Sequence, residues 1–281
     1  MGPLRSVALT FDRIPGGLLL STEAGWNQIA DDWRFMLGAG TSYGFADGDH
    51  LVASGLTVEF AHFGWISMIL VTAPYRRRGL ATQLMGHCVD ALTSRRLVPA
   101  LDASPDGREV YRRLGFRDVG NSTRLVGTLA REATKHTASD IFKLTAAELP
   151  EIAAFDAESS GTDRTTLLHH LWQRYPTAAY SARRQDRIAG FVLARPGRMS
   201  AQIGPLVAED DELAADLLAR VGSAIDGPVC FDLFDQRRSV RAWLDQRGFR
   251  PVTRFIRMVL GETEIFPSDH RVYIIAGPEL G

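Results

Sequence analysis

The chain has 281 residues, 45% hydrophobic and 23% charged, with a net charge of -1. That length suits two domains, each able to bury a core, and the even charge balance excludes a global field for nucleic acid or an anionic membrane. The two cysteines, Cys88 and Cys230, make no disulfide framework, the N-terminus lacks the apolar core of a secretory signal, and no apolar run is long enough to span a bilayer, so a soluble cytoplasmic protein is expected.

In chain order, residues 18–37 read as helical, with Trp26, Ile29, Ala30, Trp33 and Leu37 at three- and four-residue spacing. Strands follow over 42–46 and 51–63, separated by Asp47-Gly48-Asp49. Residues 65–71 are apolar apart from Ser67, as in a central strand buried on both faces, and Pro74 forbids its extension. From 78 to 95 the pattern turns helical, with Leu80, Leu84, Cys88 and Leu92 on one face. A strand over 98–103, a helix over 108–114 stopped by Gly115 and closing strands over 117–129 complete the first half.

Between 129 and 140 the sequence turns polar, which divides it into domains 1–130 and 140–281. The second half then repeats the grammar. Helices are predicted over 147–155, 164–174, 211–225 and 239–248, and strands over 178–182, 187–194, 201–207, 229–233, 251–260 and 271–276. Leu114-Gly115-Phe116-Arg117 and Arg247-Gly248-Phe249-Arg250 punctuate equivalent places, as a diverged internal duplication would. The fold class expected is α+β, a mixed α/β chain of two modules, each with a mostly antiparallel central sheet flanked by helices.

The segment with most chemistry is Val71-Thr72-Ala73-Pro74-Tyr75-Arg76-Arg77-Arg78-Gly79-Leu80-Ala81-Thr82. A buried strand stops, a basic turn follows, and a helix opens at a glycine. The first turn of a helix leaves backbone N–H groups unpaired at the positive end of its dipole. A glycine admits phosphate oxygens against the main chain, and arginines add charge-assisted hydrogen bonds. Three arginines after a strand are ordinarily a solvated turn; Gly79, Pro74 and the following helix favour an anion site.

The run Arg76-x-x-Gly79-x-Ala81 resembles the pyrophosphate-binding motif of the GNAT superfamily. Leu101-Asp102-Ala103-Ser104-Pro105 through Tyr111-Arg112-Arg113-Leu114-Gly115-Phe116 resembles its second motif, and the likeness covers residues 20–128. The second half resembles a degenerate module of the same kind, in a tandem arrangement. The resemblance implies an N-acetyltransferase that moves an acetyl group from acetyl-CoA to a primary amine of a small molecule by direct attack. It places the co-substrate against Ile69, Leu70, Val71, Arg76, Arg77, Arg78, Gly79, Leu80, Ala81, Thr82 and Ser104. Tyr111 becomes the proton donor to the departing sulfur, with a core role as the alternative. Trp26, Asn27, Asp31 and Ser67 become the acceptor wall, although a core role is the default for Trp26.

The general base stays open. The strand over 65–71 offers only Ser67 where many relatives carry a carboxylate, leaving Glu59, His62, Asp31 or a water relay; Glu59 is carried as the candidate. That gap also keeps alive a CoA-binding sensor or interaction protein without turnover. No metal site is read, His87 and Cys88 read as packing residues, and a homodimer is carried as an expectation. In the second half, Ala208-Glu209-Asp210-Asp211-Glu212 stands where the phosphate loop should recur; its carboxylates would repel a pyrophosphate. That half is expected to shape the acceptor pocket. The C-terminal 276–281, within reach of the pocket, reads as a mobile tail.

Overall fold

A computed structural model describes residues 4–129, 140–261, 266 and 270–281. The polar stretch 130–137, read above as the junction, lies outside the described residues, as do residues 1–3.

The first half runs β1 (Arg5–Ala8), α1 (Ile14–Glu23), α2 (Ala30–Gly38), β2 (Ser42–Asp47), β3 (His50–Glu59), β4 (Phe63–Val71), α3 (Leu80–Ser94), β5 (Val98–Ala103), α4 (Pro105–Arg113) and β6 (Phe116–Gly127). The second runs β7 (Asp140–Lys143), α5 (Leu149–Ser160), α6 (Thr165–Arg174), β8 (Tyr180–Arg184), β9 (Arg187–Arg195), β10 (Ala201–Ala208), α7 (Asp211–Gly222), β11 (Val229–Phe234), α8 (Arg238–Asp245), β12 (Arg250–Leu260) and β13 (Val272–Ile274).

Two expectations are corrected here. The single helix over 18–37 is two helices. Gly25, at φ +72°, follows the end of α1, and the Asp32 carboxylate opens α2 by accepting the Ile29 amide at 2.7 Å. Trp26 therefore sits in the break and shares no helix face with the buried Trp33. The run over 51–63 also divides, because a tight turn closed by Phe60 N–H to the Phe63 carbonyl at 2.9 Å separates β3 from β4.

The strands form one continuous sheet in the order β1-β2-β3-β4-β5-β12-β6-β11-β13-β10-β9-β8-β7. Among the described residues only β4–β5 and β10–β11 pair in parallel. The two halves exchange their closing strands: β12 pairs with β5 (Arg257 opposite Asp102), and β6 pairs with β11 (Arg124 opposite Asp232). A single sheet thus carries both modules.

The core follows from this. One buried cluster joins Trp33, Leu56, Trp65 and Met68 to Ile152, Leu167, Phe191 and Leu193, so α1, α2, α5 and α6 share a continuous layer. Val192 and Ala194 belong instead to the cluster under α7 and α8, as the alternation of a strand requires. Leu84, Met85, Cys88 and Leu92 of α3 are buried, the face the spacing indicated. Gly115 and Gly248 take positive φ at +93° and +77°, so the two matching sequence signatures make the same turn.

Candidate active site

Strands β4 and β5 pair only at Phe63–Val98, Gly64–Pro99 and Trp65–Ala100, and then diverge. Within β4 the register against β3 jumps from Ser67–Leu56 to Leu70–Ser54, which places Met68 and Ile69 opposite Gly55. Met68 sits at φ +53°, and its carbonyl accepts the Ser54 hydroxyl at 2.8 Å. This is a β-bulge at the point where the strands separate, a place where ladder pairing is given up to re-aim the backbone.

At the open end the chain passes into the basic loop. Gly79 precedes α3 at φ +78°, and no side chain caps the helix. The amides of Leu80, Ala81 and Thr82 therefore lack intrahelical partners and face outward with the dipole's positive end. Glu23, at the end of α1, holds the loop in shape. Its carboxylate accepts the Ala73 amide at 2.7 Å and the Thr72 hydroxyl, and pairs with Arg76 at 3.4 Å. The Thr72 hydroxyl first, then the Ala73 amide and Arg76, hold that carboxyl below its ordinary range. Arg76 also donates to the Val71 carbonyl at 3.0 Å, and Arg78 lies over the Tyr75 ring. The two arginines are thereby drawn against the loop that carries them.

Between the diverging strands lies a cavity of about 620 Å³. It gathers Trp26, Asn27, Ser67, Ile69, Ser104 and Tyr111 from the sequence reading, with Arg124, Met199, Ser200, Cys230, Phe255, Pro278 and Glu279 from more distant chain. Leu70, Val71 and the loop from Arg76 to Thr82 lie outside its wall, along the strand end and helix start that lead away from it.

Tyr111 stands on α4, its ring 6.2 Å from that of Phe116. Gly107 makes room one turn earlier, where a Cβ would come within 2.9 Å of the ring. The Tyr111 hydroxyl hydrogen-bonds to no described residue, and burial pushes it up to about 12. It stays protonated at every physiological pH, the state a proton donor requires.

Two candidates lie away from this chemistry. Glu59 is paired in the ladder with Gly64, at the closed end of the β4–β5 separation, and its carboxylate binds Arg95 at 2.6 Å. Asp31 is surface-exposed and paired with Arg34. Neither lines the cavity. Asn27 does, yet its side chain is committed: it accepts the Met199 amide at 2.8 Å and the Ser200 amide at 3.2 Å, and donates to the Ser200 carbonyl at 3.0 Å. It joins the two halves and has little left for a ligand. The Ser67 hydroxyl donates to the Met36 sulfur at 3.7 Å. Cys88 is buried and pushed up to about 12, which leaves the thiol unreactive. His87 stacks on Tyr43 at 5.1 Å.

The C-terminal segment is not a mobile tail. Ala276, Glu279 and Leu280 are buried, the Trp65 indole donates to the Pro278 carbonyl at 2.8 Å, and Arg164 donates to the Gly281 oxygen at 2.9 Å. In the second half β10 and β11 also diverge, after Gln202–Cys230. There β13 fills the gap, pairing with Leu206 and Val207 on one side and Leu233 on the other. The acidic start of α7 is also self-satisfied: Asp210 accepts the Leu213 amide at 2.9 Å, and Arg184 pairs with Glu209 and Asp210. Among the described residues no His, Cys and carboxylate group could hold a metal, and no helix is long and apolar enough to cross a membrane.

A parallel-strand separation with a bulge, an uncapped basic helix start and a half-buried tyrosine hydroxyl in the cavity wall are the features of an acyltransferase fold, doubled in this chain. The chain belongs to the GNAT acetyltransferases: residues 18–116 match the "Acetyltransferase (GNAT) family" and residues 152–274 the "Acetyltransferase (GNAT) domain". It is 22% identical over 246 residues to the uncharacterized N-acetyltransferase YitH of Bacillus subtilis (strain 168), covering 86% of each chain. The fold is shared with a Pyrococcus horikoshii protein described as a candidate acetyltransferase, at TM-score 0.83 and 19% identity over 100% of this chain and 97% of that one. It is also shared with a tandem GNAT protein of the clavulanic acid biosynthesis pathway, at TM-score 0.66 and 14% identity over 95% of this chain and 100% of the other.

Proposed function

We propose that the first half, residues 1–130, binds acetyl-CoA between β4 and β5 and transfers its acetyl group to a primary amine of a small molecule, while residues 140–281 shape the acceptor pocket. The single observation that carries the reading is the cavity between the diverging strands, in which the Tyr111 hydroxyl and the Met68 bulge lie together beside the uncapped start of α3.

Acetyl-CoA fits this arrangement on chemical grounds. The amides of Leu80, Ala81 and Thr82, with Arg76, Arg77 and Arg78 around Gly79, suit a diphosphate. The backbone freed from the ladder by the bulge suits the carbonyl oxygen, which gains charge as the amine attacks. Tyr111 donates a proton to the sulfur as the carbon–sulfur bond breaks, so no free thiolate has to leave. In the second half, β13 and the capped, acidic start of α7 take up the equivalent places, which supports a supporting role for it.

Calorimetry with acetyl-CoA, followed by thiol release with a panel of primary amines, tests the reading. Saturable binding and amine-dependent thiol release are expected. Absence of any binding heat would remove the basis for acetyl transfer.

A further inference from the structure

We propose that Glu279 is the carboxylate that binds the acceptor amine and takes its proton, delivered to the cavity by the segment that plugs the second half. The proposal rests on the acetyl-transfer reading above. It supplies the group that the strand over 65–71 lacks.

The segment's path is fixed at each step. β13 is held between β10 and β11, the Ile275 amide donates to the Asp232 carbonyl at 3.2 Å, and the amides of Leu280 and Gly281 fold back on the Gly277 carbonyl at 2.9 and 3.1 Å. Gly277 takes φ +148°, and a Cβ there would come within 2.9 Å of Glu279 Oε2. With Trp65 holding the Pro278 carbonyl, the Glu279 side chain is set at the wall of the cavity that contains Tyr111.

Burial and charge then single it out. Among the described residues four charged side chains line the cavity, the carboxylates of Asp102, Asp106 and Glu279 and the guanidinium of Arg124. Asp102 has both oxygens on Arg257 at 3.0 Å, and Arg124 has its fork on Asp232 at 2.9 and 2.8 Å. Asp106 is exposed at the start of α4. Glu279 is 4% exposed; its Oε1 accepts a hydrogen bond from Arg195, while Oε2 makes no hydrogen bond to any described residue. Arg195 also meets Asp32 at 3.3 Å and the Gln202 side chain at 2.9 Å. An ammonium at Oε2 meets an uncommitted acceptor on an otherwise buried residue; an anionic group there meets repulsion.

The step balances as follows. Glu279 Oε2 accepts one proton from the ammonium, leaving a neutral amine whose lone pair forms the nitrogen–carbon bond to the thioester carbonyl. The carbon–sulfur bond breaks, Tyr111 protonates the sulfur, and the second proton lost by nitrogen restores Tyr111 through solvent. Glu279 returns its proton to solvent when the amide leaves.

The test measures thiol release from acetyl-CoA with putrescine, tyramine, glucosamine and lysine methyl ester as probes. With the best of these, Glu279→Gln is expected to raise the amine KM about tenfold or more, leave the acetyl-CoA KM unchanged, and be partly rescued in Glu279→Asp. An unchanged amine KM in Glu279→Gln overturns the proposal alone, as does wild-type protein that binds acetyl-CoA but turns over none of the four amines. Wild-type protein that binds no acetyl-CoA overturns the underlying reading as well. A comparison that needs no variant uses tyramine against tyrosine: tyramine should be preferred, and a preference for the carboxylate-bearing tyrosine overturns the role given to Glu279.

Discussion

Tyr111 is a weak acid in its site, since burial holds it near 12, and this bears on how it can act. It is not a phenolate at neutral pH, so in the role proposed for it Tyr111 can act toward the leaving sulfur only as a proton donor. Tyr111→Phe removes that proton and little else, because the ring stays packed on Phe116. Turnover should fall about 100-fold while acetyl-CoA affinity, read by calorimetry, holds; lost affinity with intact turnover would contradict the role. Gly79 is a backbone requirement. At φ +78° a β-branched residue is strained, so Gly79→Val should lower the thermal midpoint and abolish acetyl-CoA binding by calorimetry at a temperature where the variant is still folded. Both residues were legible in sequence because their signals are local, a glycine at a helix start and a tyrosine one helix after a strand. Asn27 was not, because the groups that occupy its amide lie 172 and 173 residues away.

At the scale of elements, the loop before α3 is shaped by α1 through Glu23. Glu23→Ala should leave the fold intact but let Thr72–Arg76 drift, raising the acetyl-CoA KM several-fold, about the effect of losing one charge-assisted contact; an unchanged KM would show that the loop holds itself. Helix α6 meets α2 at His170, whose ring stacks on Phe35 at 4.6 Å. Burial first, then Arg174, lowers its pKa from 6.5 to about 4. The unfolded chain therefore takes up this proton below about pH 6.5 and the folded chain only near pH 4, so stability is full above that window and declines as pH falls through it. His170→Gln should flatten the acid limb of the thermal midpoint measured between pH 7 and pH 4. The helices and central strands were readable because each has one apolar face or run. The break at Gly25 was hidden, because Trp26, Ile29 and Trp33 keep helical spacing straight through it.

Across the whole molecule, what periodicity could not reveal is the strand exchange. The segments 117–129 and 251–260 each read correctly as closing strands, but hydropathy says only that a strand is buried, never which neighbour it pairs with. The consequence is thermodynamic. Residues 1–130 alone would lack β12, whose Ile256 and Met258 complete the buried cluster of Leu101, Ala103 and Phe116, and would expose β5 along its length. Residues 140–281 alone would lack β6, and Arg174 and Arg195 would lose Asp32, their buried partner from α2. Each fragment would also expose the apolar layer that the other half covers, and a domain is held folded by only about 5–15 kcal/mol. Fragments 1–130 and 140–281 produced separately should therefore show no cooperative thermal transition by circular dichroism, while co-expression should recover one complex with a single transition. A sharp melt from either fragment alone would mean that each half can close on its own strand, and that the exchange is a choice between near-equal pairings instead of a condition of folding.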